Sequence, residues 1–478
     1  MKILLVNTNR IQPPIAPIAL DYIGGSLERS GHTVKLLDLC LSDDRQGEVG
    51  RLLAAETFDA VALTFRNTDD CYFASGASFV EILRGDVAAV REYHGGPVIV
   101  GGGGFSLMPE SLLRFTGADY GIVGDGEDAL PALLDRLEKD LPVSDVAGLV
   151  WRDGEDRHSN GRASASLDDL SGASRSTVDN RTYFRRGGQI GFETKRGCPG
   201  RCIYCADPVI KGKAVRLRPP RPVAGELRNL LAMGIDHFHT CDSEFNLPPD
   251  HAAAVCAAIV DAGLGERIRW YAYAAPFPFD RRLGDAMLRA GCAGINFGVD
   301  SGSEAQLKRL GRSHDRRHIL EAARICRDLG IAVMFDLLLG GPGETIETLR
   351  ETVELMKNAS PDRVGVSLGV RVYPGTPLHR HLAAGSIDPA GLRGNPDGLF
   401  PVFFMSPDLG EHPFDEVREL IGGDGRFLMP SGGDEQNYNY NDNRVLQEAI
   451  EAGCRGAYWD ILRRLATASA PYPRCCAP

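Results

Sequence analysis

The sequence predicts an α/β protein with a doubly wound parallel sheet, then a partial six-stranded β/α barrel, then a smaller C-terminal region. Three observations carry this prediction. Short apolar runs alternate with helical patterns over residues 1–145, a polar stretch rich in glycine and serine interrupts them, and a second alternation follows. Such alternation is typical of parallel βαβ units.

The first domain, residues 1–145, contains five strand patterns separated by helical patterns. Each strand pattern is a short, nearly continuous apolar run, as expected for a parallel sheet buried on both faces. The predicted strands are Lys2–Asn7, Thr33–Leu39, Ala60–Phe65, Val98–Val100 and Tyr120–Val123. The predicted helices are Ile18–Ser30, Ser78–Tyr93, Pro109–Phe115 and Asp128–Lys139.

Polar and glycine-rich segments follow these strands, at the edge where sheets of this kind bind ligands. Four successive glycines at 101–104 would let a ligand approach the backbone closely, although a tight turn would favour glycine equally. The candidate cofactor-binding residues at this edge are Asn9, Arg66, Gly101, Gly103, Gly124 and Glu127.

The rest of the chain divides into three parts. Residues 146–185 are polar and rich in glycine and serine, which predicts a linker. Residues 186–385 carry six strand patterns joined by helices, which predicts an open β/α barrel with its chemistry at the strand ends. Residues 386–478 are less regular and form the C-terminal domain. The barrel strands are predicted at Ile190–Glu193, His237–Thr240, Arg269–Tyr273, Gly294–Val299, Ala332–Leu339 and Val364–Val372.

Composition argues against several classes of function. The 478 residues carry 53 basic and 64 acidic side chains, and a net charge of −11 argues against a nucleic-acid partner. No apolar run is long enough to span a membrane and the first residues do not resemble a secretion signal, so we expect a cytoplasmic protein. The twelve cysteines should then be reduced thiols, available for metal binding or catalysis.

Three cysteines form one cluster directly after the first barrel strand. Cys198, Cys202 and Cys205 have Cys-x3-Cys-x2-Cys spacing on a loop whose glycines and proline disfavour a helix. A zinc site would need a fourth ligand, and none follows closely. A cubane iron–sulfur cluster on three thiolates would leave one iron open to a ligand. Three cations lie next to the cysteines in sequence: Lys195, Arg196 and Arg201. They would favour the thiolate forms of the cysteines if they face them, and would have no such effect if they only face solvent.

This spacing, with Tyr204 just before the last cysteine, resembles the motif of the radical S-adenosylmethionine (SAM) superfamily. Segments at 241–246, 298–302, 339–345 and 371–377 resemble its SAM-binding turns and occur in the same order. The resemblance implies a 4Fe-4S cluster with the three cysteines as its metal ligands, SAM at the open iron, and reductive cleavage of SAM to a carbon radical. It also implies SAM-binding roles for Tyr204, Asp242, Ser243, Glu244, Asp300, Ser301, Gly340, Gly341, Pro342 and Arg371.

A Rossmann-like domain ahead of a radical SAM barrel is similar to the cobalamin-binding branch of this superfamily. The resemblance implies cobalamin at the strand ends of the first domain. One departure concerns the cobalt ligand, because Asn7-Thr8-Asn9-Arg10 stands where methionine-synthase-type domains carry Asp-x-His-x-x-Gly. His32 lies too far along the chain to replace that histidine. The sequence is therefore compatible with histidine-free cobalamin binding or with a cleft that no longer binds it.

The chain ends in a second thiol motif, the adjacent pair Cys475 and Cys476. Paired thiolates suit soft ions such as trivalent arsenic, although a terminal tail with incidental thiols is equally ordinary. The Arg-Cys-Cys tail resembles radical enzymes of organoarsenical (arsinothricin-type) biosynthesis. That resemblance implies catalytic roles for Cys475 and Cys476, with Cys454 as a third thiol.

Two reactions on a small-molecule substrate of natural product biosynthesis remain open. One transfers a methyl group by way of cobalamin, and the other transfers a 3-amino-3-carboxypropyl group to trivalent arsenic. Both would use an electron donor of the flavodoxin or ferredoxin type, and neither involves a membrane. A redox or ligand-sensing module that does not consume SAM is the alternative from another class. Two full-size α/β domains with motifs at the barrel end favour the enzyme, a radical SAM group transferase.

Overall fold

The computed structural model describes residues 1–154, 156–168, 170, 175–395, 398–429 and 443–466. These residues fall into two compact units. The first comprises Met1–Asn180, Val209–Lys211 and Asn395–Pro401, and the second comprises Arg181–Pro208, Gly212–Gly394 and Val402–Pro478.

The first unit is built on a seven-stranded sheet. Its strands are β1 (Lys2–Asn7), β2 (Thr33–Asp38), β3 (Ala60–Thr64), β4 (Val98–Gly101), β5 (Tyr120–Ile122), β6 (Leu149–Asp153) and β7 (Asp156–Ser159). Their order is β2-β1-β3-β4-β5-β6-β7; the first five are parallel, and β6 and β7 are antiparallel. The helices are α1 (Ile18–Arg29), α2 (Arg45–Ala55), α3 (Val80–Tyr93), α4 (Gly103–Leu107), α5 (Pro109–Thr116) and α6 (Gly126–Glu138). Strands β1, β3 and β4 are almost entirely buried, whereas β2, at the edge of the sheet, is largely exposed or half-buried. The parallel sheet confirms the doubly wound prediction.

The segment 146–185 differs from the predicted linker, because part of it is built into the first unit. Strands β6 and β7 extend the sheet as a hairpin, and the rings of Trp151 and His158 stack across it with centroids 4.8 Å apart. Further along, the buried Arg175 Nε donates to Asp21 Oδ2 of α1 over 2.7 Å. The polar composition reflects an exposed edge strand and a buried ion pair rather than a free connection.

The second unit contains a seven-stranded parallel sheet and two small antiparallel ones. Its strands are β8 (Ile190–Phe192), β9 (Lys195–Arg196), β10 (Arg216–Leu217), β11 (His237–Thr240), β12 (Arg269–Ala274), β13 (Cys292–Asp300), β14 (Ala332–Leu339), β15 (Arg363–Leu368), β16 (Val370–Arg371), β17 (Leu392–Arg393), β18 (Phe403–Phe404) and β19 (Phe427–Leu428). The large sheet has the order β19-β15-β14-β13-β12-β11-β8, so the six predicted barrel strands lie side by side in chain order.

Helices cover this sheet. From residue 180 onward they are α7 (Asn180–Gly187), α8 (Asp207–Ile210), α9 (Pro220–Ala232), α10 (Pro249–Asp261), α11 (Arg281–Arg289), α12 (Glu304–Leu310), α13 (Arg316–Leu329), α14 (Ile346–Ala359), α15 (Pro377–Ala383), α16 (Pro413–Ile421), α17 (Arg444–Glu451) and α18 (Tyr458–Ala466). Within the described part of the chain, none of the helices combines the length and the apolar character needed to cross a bilayer.

The last two helices pack at the amino ends of the barrel strands. Trp459 packs on Tyr271 and Met334, and its ring lies 2.9 Å from the position that a Cβ on Gly294 would take. The Tyr271 hydroxyl donates to Asp460 over 2.8 Å. The amino end of the barrel is thus filled with side chains, so any ligand chemistry belongs at the carboxyl ends.

Candidate active site

The loop that carries the three cysteines leaves β9 and is held by backbone contacts. At Gly197, φ is +91°, and a Cβ would lie 2.1 Å from the Ala214 carbonyl oxygen, so only glycine fits. The Cys198 amide donates to the Gly212 carbonyl over 3.0 Å. The Ile203 amide donates to Leu310, at the end of α12, over 3.0 Å. The loop is therefore fixed from two sides before any cofactor binds.

The three thiols of this loop face a common space. The position of a Cβ on Gly200 lies 3.2 Å from Cys198 Sγ and 3.8 Å from Cys202 Sγ. Burial raises the pKa of all three thiols, and each of the other two adds to the increase at Cys205. Replacing the protons with iron removes this penalty, so the donor set fits an iron–sulfur cluster.

The spacing of the thiols suits a cluster better than a single ion. Among the described residues, no three His, Cys, Asp or Glu side chains are close enough together to hold one metal ion. A cubane cluster does not require such closeness, because each thiolate binds a different iron. The three cysteines therefore fit a cluster that has one iron without a protein thiolate.

The cations around the cluster loop differ from those that the sequence suggested. Arg196 is paired with Glu193 over 2.9 Å, and Arg201 is exposed. Lys195 is buried and lowers the pKa of Cys198, although burial dominates there. The cation that contacts a thiol directly is Arg312, whose Nη1 donates to Cys202 Sγ over 3.1 Å.

One segment predicted to bind SAM, 241–246, is tied to the cluster loop. Asp242 accepts the amides of Thr194 and Lys195 over 2.9 and 3.2 Å, so this carboxylate anchors the start of the loop. The Ser243 hydroxyl donates to Asp207. Glu244 lies 3.7 Å from a guanidinium nitrogen of Arg312, and burial raises the pKa of Glu244 to about 7.

Strand β13 ends on a residue in the left-handed region, Asp300, whose φ is +63°. Such a backbone is uncommon for a residue other than glycine and is a frequent sign of a functional site. Asp300 accepts a hydrogen bond from the Tyr204 hydroxyl and lies 3.3 Å from Arg312 Nε. The next residue, Ser301, is fully buried, and its hydroxyl lies 3.0 Å from that of Thr352. Asp300 therefore faces the cluster loop, whereas Ser301 braces the barrel.

The glycine-rich turn after β14 is held by an internal carboxylate. Gly340 and Gly341 both donate their amides to Glu344 Oε2, over 2.5 and 3.2 Å, and Pro342 is buried beside them. Burial raises the pKa of Glu344 to about 7. Arg371, after β15, donates to the carbonyls of its neighbours at 372 and 402 and is mostly buried.

Sequence reasoning missed two polar groups on barrel strands. Asp336 on β14 accepts from Asn296 Nδ2 over 2.6 Å, while Oδ1 of each residue is buried without a partner. His239 on β11 has Nδ1 2.9 Å from the Thr240 carbonyl and its ring 4.7 Å from that of Tyr273. Burial lowers the pKa of His239 to about 4. Neither residue belongs to a short motif. Only the alternation of polar and apolar residues along each strand could have indicated them.

Replacing Asp336 with asparagine is expected to stabilise the ligand-free protein increasingly as the pH rises. Burial raises the pKa of Asp336 from 3.8 to about 7, so between these values the folded protein holds a proton that the unfolded chain releases. The stability of the wild type therefore falls across this interval. Thermal unfolding should show the Tm advantage of Asp336→Asn growing by roughly 3 °C or more between pH 5 and pH 8. A difference in Tm between variant and wild type that stays constant with pH would contradict this prediction. An equal pH-dependent change in Tm for Asp261→Asn, at an exposed position, would contradict it too.

At the strand ends of the first unit, polar residues line a cleft between β1, β3 and α3. Thr8, Asn9, Phe65, Arg66 and Asn67 contribute to it. Asn9 is buried, and its Nδ2 has no hydrogen-bond partner, so this donor would be satisfied by a bound ligand. Arg66 is exposed at the same edge. These features fit a polar ligand bound at the strand ends.

The glycines of this edge serve the chain's own packing. At Gly102, φ is +104°, and a Cβ would lie 2.7 Å from the Phe65 carbonyl oxygen. At Gly124, φ is +90°, and a Cβ would lie 2.4 Å from the Ala163 carbonyl oxygen. Gly101 and Gly103 are less crowded, and Glu127 is buried at the start of α6. Close approach of neighbouring segments thus accounts for glycine at 102 and 124 without a ligand.

The cleft includes no histidine among its described residues. His32 Nδ1 lies 3.4 Å from the amino nitrogen of Met1, at the opposite end of β1 from Asn7. Any cobalamin in this cleft would therefore lack a cobalt-ligating imidazole from His32.

One member of the third group of predicted residues, Cys454, lies away from the cluster loop. Cys454 is buried between α17 and α18, with its carbonyl oxygen 3.6 Å from the Cβ position of Gly188, which precedes β8. It thus lies toward the amino end of the barrel, away from the loop after β9. Cys475 and Cys476 lie outside the described residues.

Comparison with known proteins identifies both halves of the chain. Residues 192–356 match the Radical SAM superfamily, and residues 4–134 match the B12 binding domain. Tryptophan 2-C-methyltransferase of Streptomyces laurentii is 30% identical over 96% of this chain and 95% of that enzyme. The chain belongs to the cobalamin-binding branch of the radical SAM superfamily. The predictions of the fold and of a radical SAM group transferase are confirmed.

Solved structures agree with this family. The radical SAM methyltransferase TsrM from Kitasatospora setae, with tryptophan and a SAM analogue bound, matches with a TM-score of 0.88 and 31% identity, over 98% of this chain and 100% of that one. Another structure of the same enzyme, 30% identical, contains cobalamin and a [4Fe-4S] cluster. The radical SAM enzyme OxsB is 19% identical with a TM-score of 0.69, covering 85% of this chain and 64% of that one, and supports the fold alone.

Proposed function

We propose that this radical SAM protein is a cobalamin-dependent methyltransferase whose substrate is a small aromatic molecule, with tryptophan as the first to test. One observation carries the proposal: the similarity to tryptophan methyltransferases extends over both domains and the C-terminal region, at 95% and 100% of the relatives' lengths. A shared SAM-binding barrel alone would produce a match confined to that domain.

In this proposal Cys198, Cys202 and Cys205 of the barrel loop would hold the cluster, which would supply the electron for reductive cleavage of a carbon–sulfur bond of SAM. The turns after β11, β13 and β14 bind and orient SAM, and Glu244 and Asp300 are carboxylates of these turns that lie beside Arg312. A flavodoxin- or ferredoxin-type protein is the proposed reductant.

The cleft of the first unit holds cobalamin, with Asn9 and Arg66 as its polar contacts. Cobalamin when bound carries the methyl group between SAM and the substrate. Because none of the described residues that line the cleft is a histidine, this proposal assigns cobalt no imidazole ligand from them. The residues of the cleft therefore bind the corrin and its side chains rather than the metal.

The test is the fate of SAM labelled in its methyl group. The holoprotein with tryptophan should release S-adenosylhomocysteine and place the label on the indole product. Formation of 5′-methylthioadenosine, with arsenite required for turnover, would instead indicate aminocarboxypropyl transfer and overturn the proposal. Binding of SAM without any consumption, across tryptophan and simple indoles, would also overturn it, because that is the behaviour of a sensor.

A further inference from the structure

We propose that Arg312 sets the reduction potential of the cluster through its charge and its hydrogen bond to the sulfur of Cys202. Tyr204 and Asp300 act as positioning residues that hold the guanidinium against this sulfur. The inference rests on the proposed function, since it requires a cluster on the three thiolates. It adds a role in electron transfer to a residue that no motif indicated.

The guanidinium of Arg312 is fixed by contacts on each of its nitrogens. Nη1 lies 3.1 Å from Cys202 Sγ and 3.3 Å from the Tyr204 hydroxyl oxygen. Nη2 donates to the carbonyl of Gly298, on β13. Nε lies 3.3 Å from Asp300 Oδ2, an ion-pair contact without a hydrogen bond at Nε. A planar group held on three sides in this way cannot rotate away from the sulfur without breaking several bonds.

The site is also shielded from solvent. The side chains of Arg312 and Asp300 are only 7% and 8% exposed, and that of Glu244, 3.7 Å from Nη2, is 15% exposed. A charge in such surroundings acts on its neighbours more strongly than a surface charge does, because water screens it little. Arginine remains protonated at any pH at which the enzyme works.

The sign of the effect follows from charge. Reducing the cluster adds one negative charge, and part of it resides on the sulfurs. A cation and an N–H donor at Cys202 stabilise the reduced form more than the oxidised form, which raises the potential. Removing Arg312 also leaves the carboxylate of Asp300 without this neighbouring cation near the cluster. Both consequences lower the potential.

The experiment is a redox titration of the reconstituted cluster, without SAM, followed by electron paramagnetic resonance. Relative to wild type, the midpoint should shift to lower potential in Arg312→Gln, less in Arg312→Lys, which keeps the charge, and slightly in Tyr204→Phe. Lys308→Gln, which removes an exposed cation of α12, should leave it unchanged. Leaving out SAM separates this effect from any contact between Arg312 and the bound cosubstrate.

Each outcome decides the matter. If Arg312→Gln binds the full amount of iron and its midpoint potential equals that of the wild type, the inference is overturned and the proposed function is left intact. If Arg312→Gln retains no cluster, unchanged midpoints in Arg312→Lys and Tyr204→Phe would overturn it equally. A wild-type protein without a four-iron cluster would overturn the proposed function, and this inference with it.

Discussion

Replacing Cys198, Cys202 and Cys205 together with alanine is expected to abolish both bound iron and the reductive cleavage of SAM. The three thiols of one loop face a common space, and each is expected to ligate a different iron. Without them the cluster has no protein ligand and SAM has no electron source. Anaerobic reconstitution should give about four irons per wild-type chain and none above background in the triple variant.

A matched control is available in the same unit. Cys256 on α10 is buried in the core, where burial raises its pKa to about 12. Cys256→Ala removes one thiol but no proposed ligand, so it should keep the full iron content. Iron retained by the triple variant, or lost equally from the control, would contradict the assignment of the cluster to this loop.

Replacing Asp21 with asparagine is expected to destabilise the first unit by about 3–5 kcal/mol, because it breaks a buried ion pair by removing the carboxylate charge. Asp21 and Arg175 are both about 1% exposed. The carboxylate also accepts from the Val178 amide over 2.8 Å and from Asn180 Nδ2 over 2.8 Å. Urea unfolding followed by circular dichroism measures the loss.

The control for this prediction is an exposed pair in the same unit. Glu81 and Arg84 on α3 are 2.6 Å apart and about half exposed. Glu81→Gln should cost no more than about 1 kcal/mol, since water screens such pairs. A similarly small loss in Asp21→Asn would show that residues 175–180 are not anchored to α1 by this ion pair.

The sequence predicted the two sheets well because their parallel strands are buried runs of apolar residues. It missed β7 for the opposite reason. Asp156–Ser159 is an edge strand in which every residue is exposed, so its sequence shows no alternation of apolar residues. Helix α2 was missed because only Val49 and Leu53 are buried on it. Helix α9 begins at Pro220, and proline suggests a loop although it fits the first turn of a helix.

The candidate site was predictable where its residues are close in sequence. The cysteine loop is one such segment, and the strand-end turns are others. Arg312 and Asp336 could not be found in this way, because only the folding of β13 and β14 brings them to the site. Arg196 shows the converse error: it is adjacent to the cysteines in sequence, but its charge is paired with Glu193.

The central claim is that methyl transfer passes through cobalamin held by the first unit, and a single-turnover experiment tests it most directly. Reduced protein loaded with cluster and cobalamin is mixed with methyl-labelled SAM in the absence of an acceptor. The account predicts a burst of about one S-adenosylhomocysteine per bound corrinoid, with the label kept on the protein until tryptophan is added. The absence of a burst before the acceptor is added, or 5′-methylthioadenosine as the sulfur product, would contradict it.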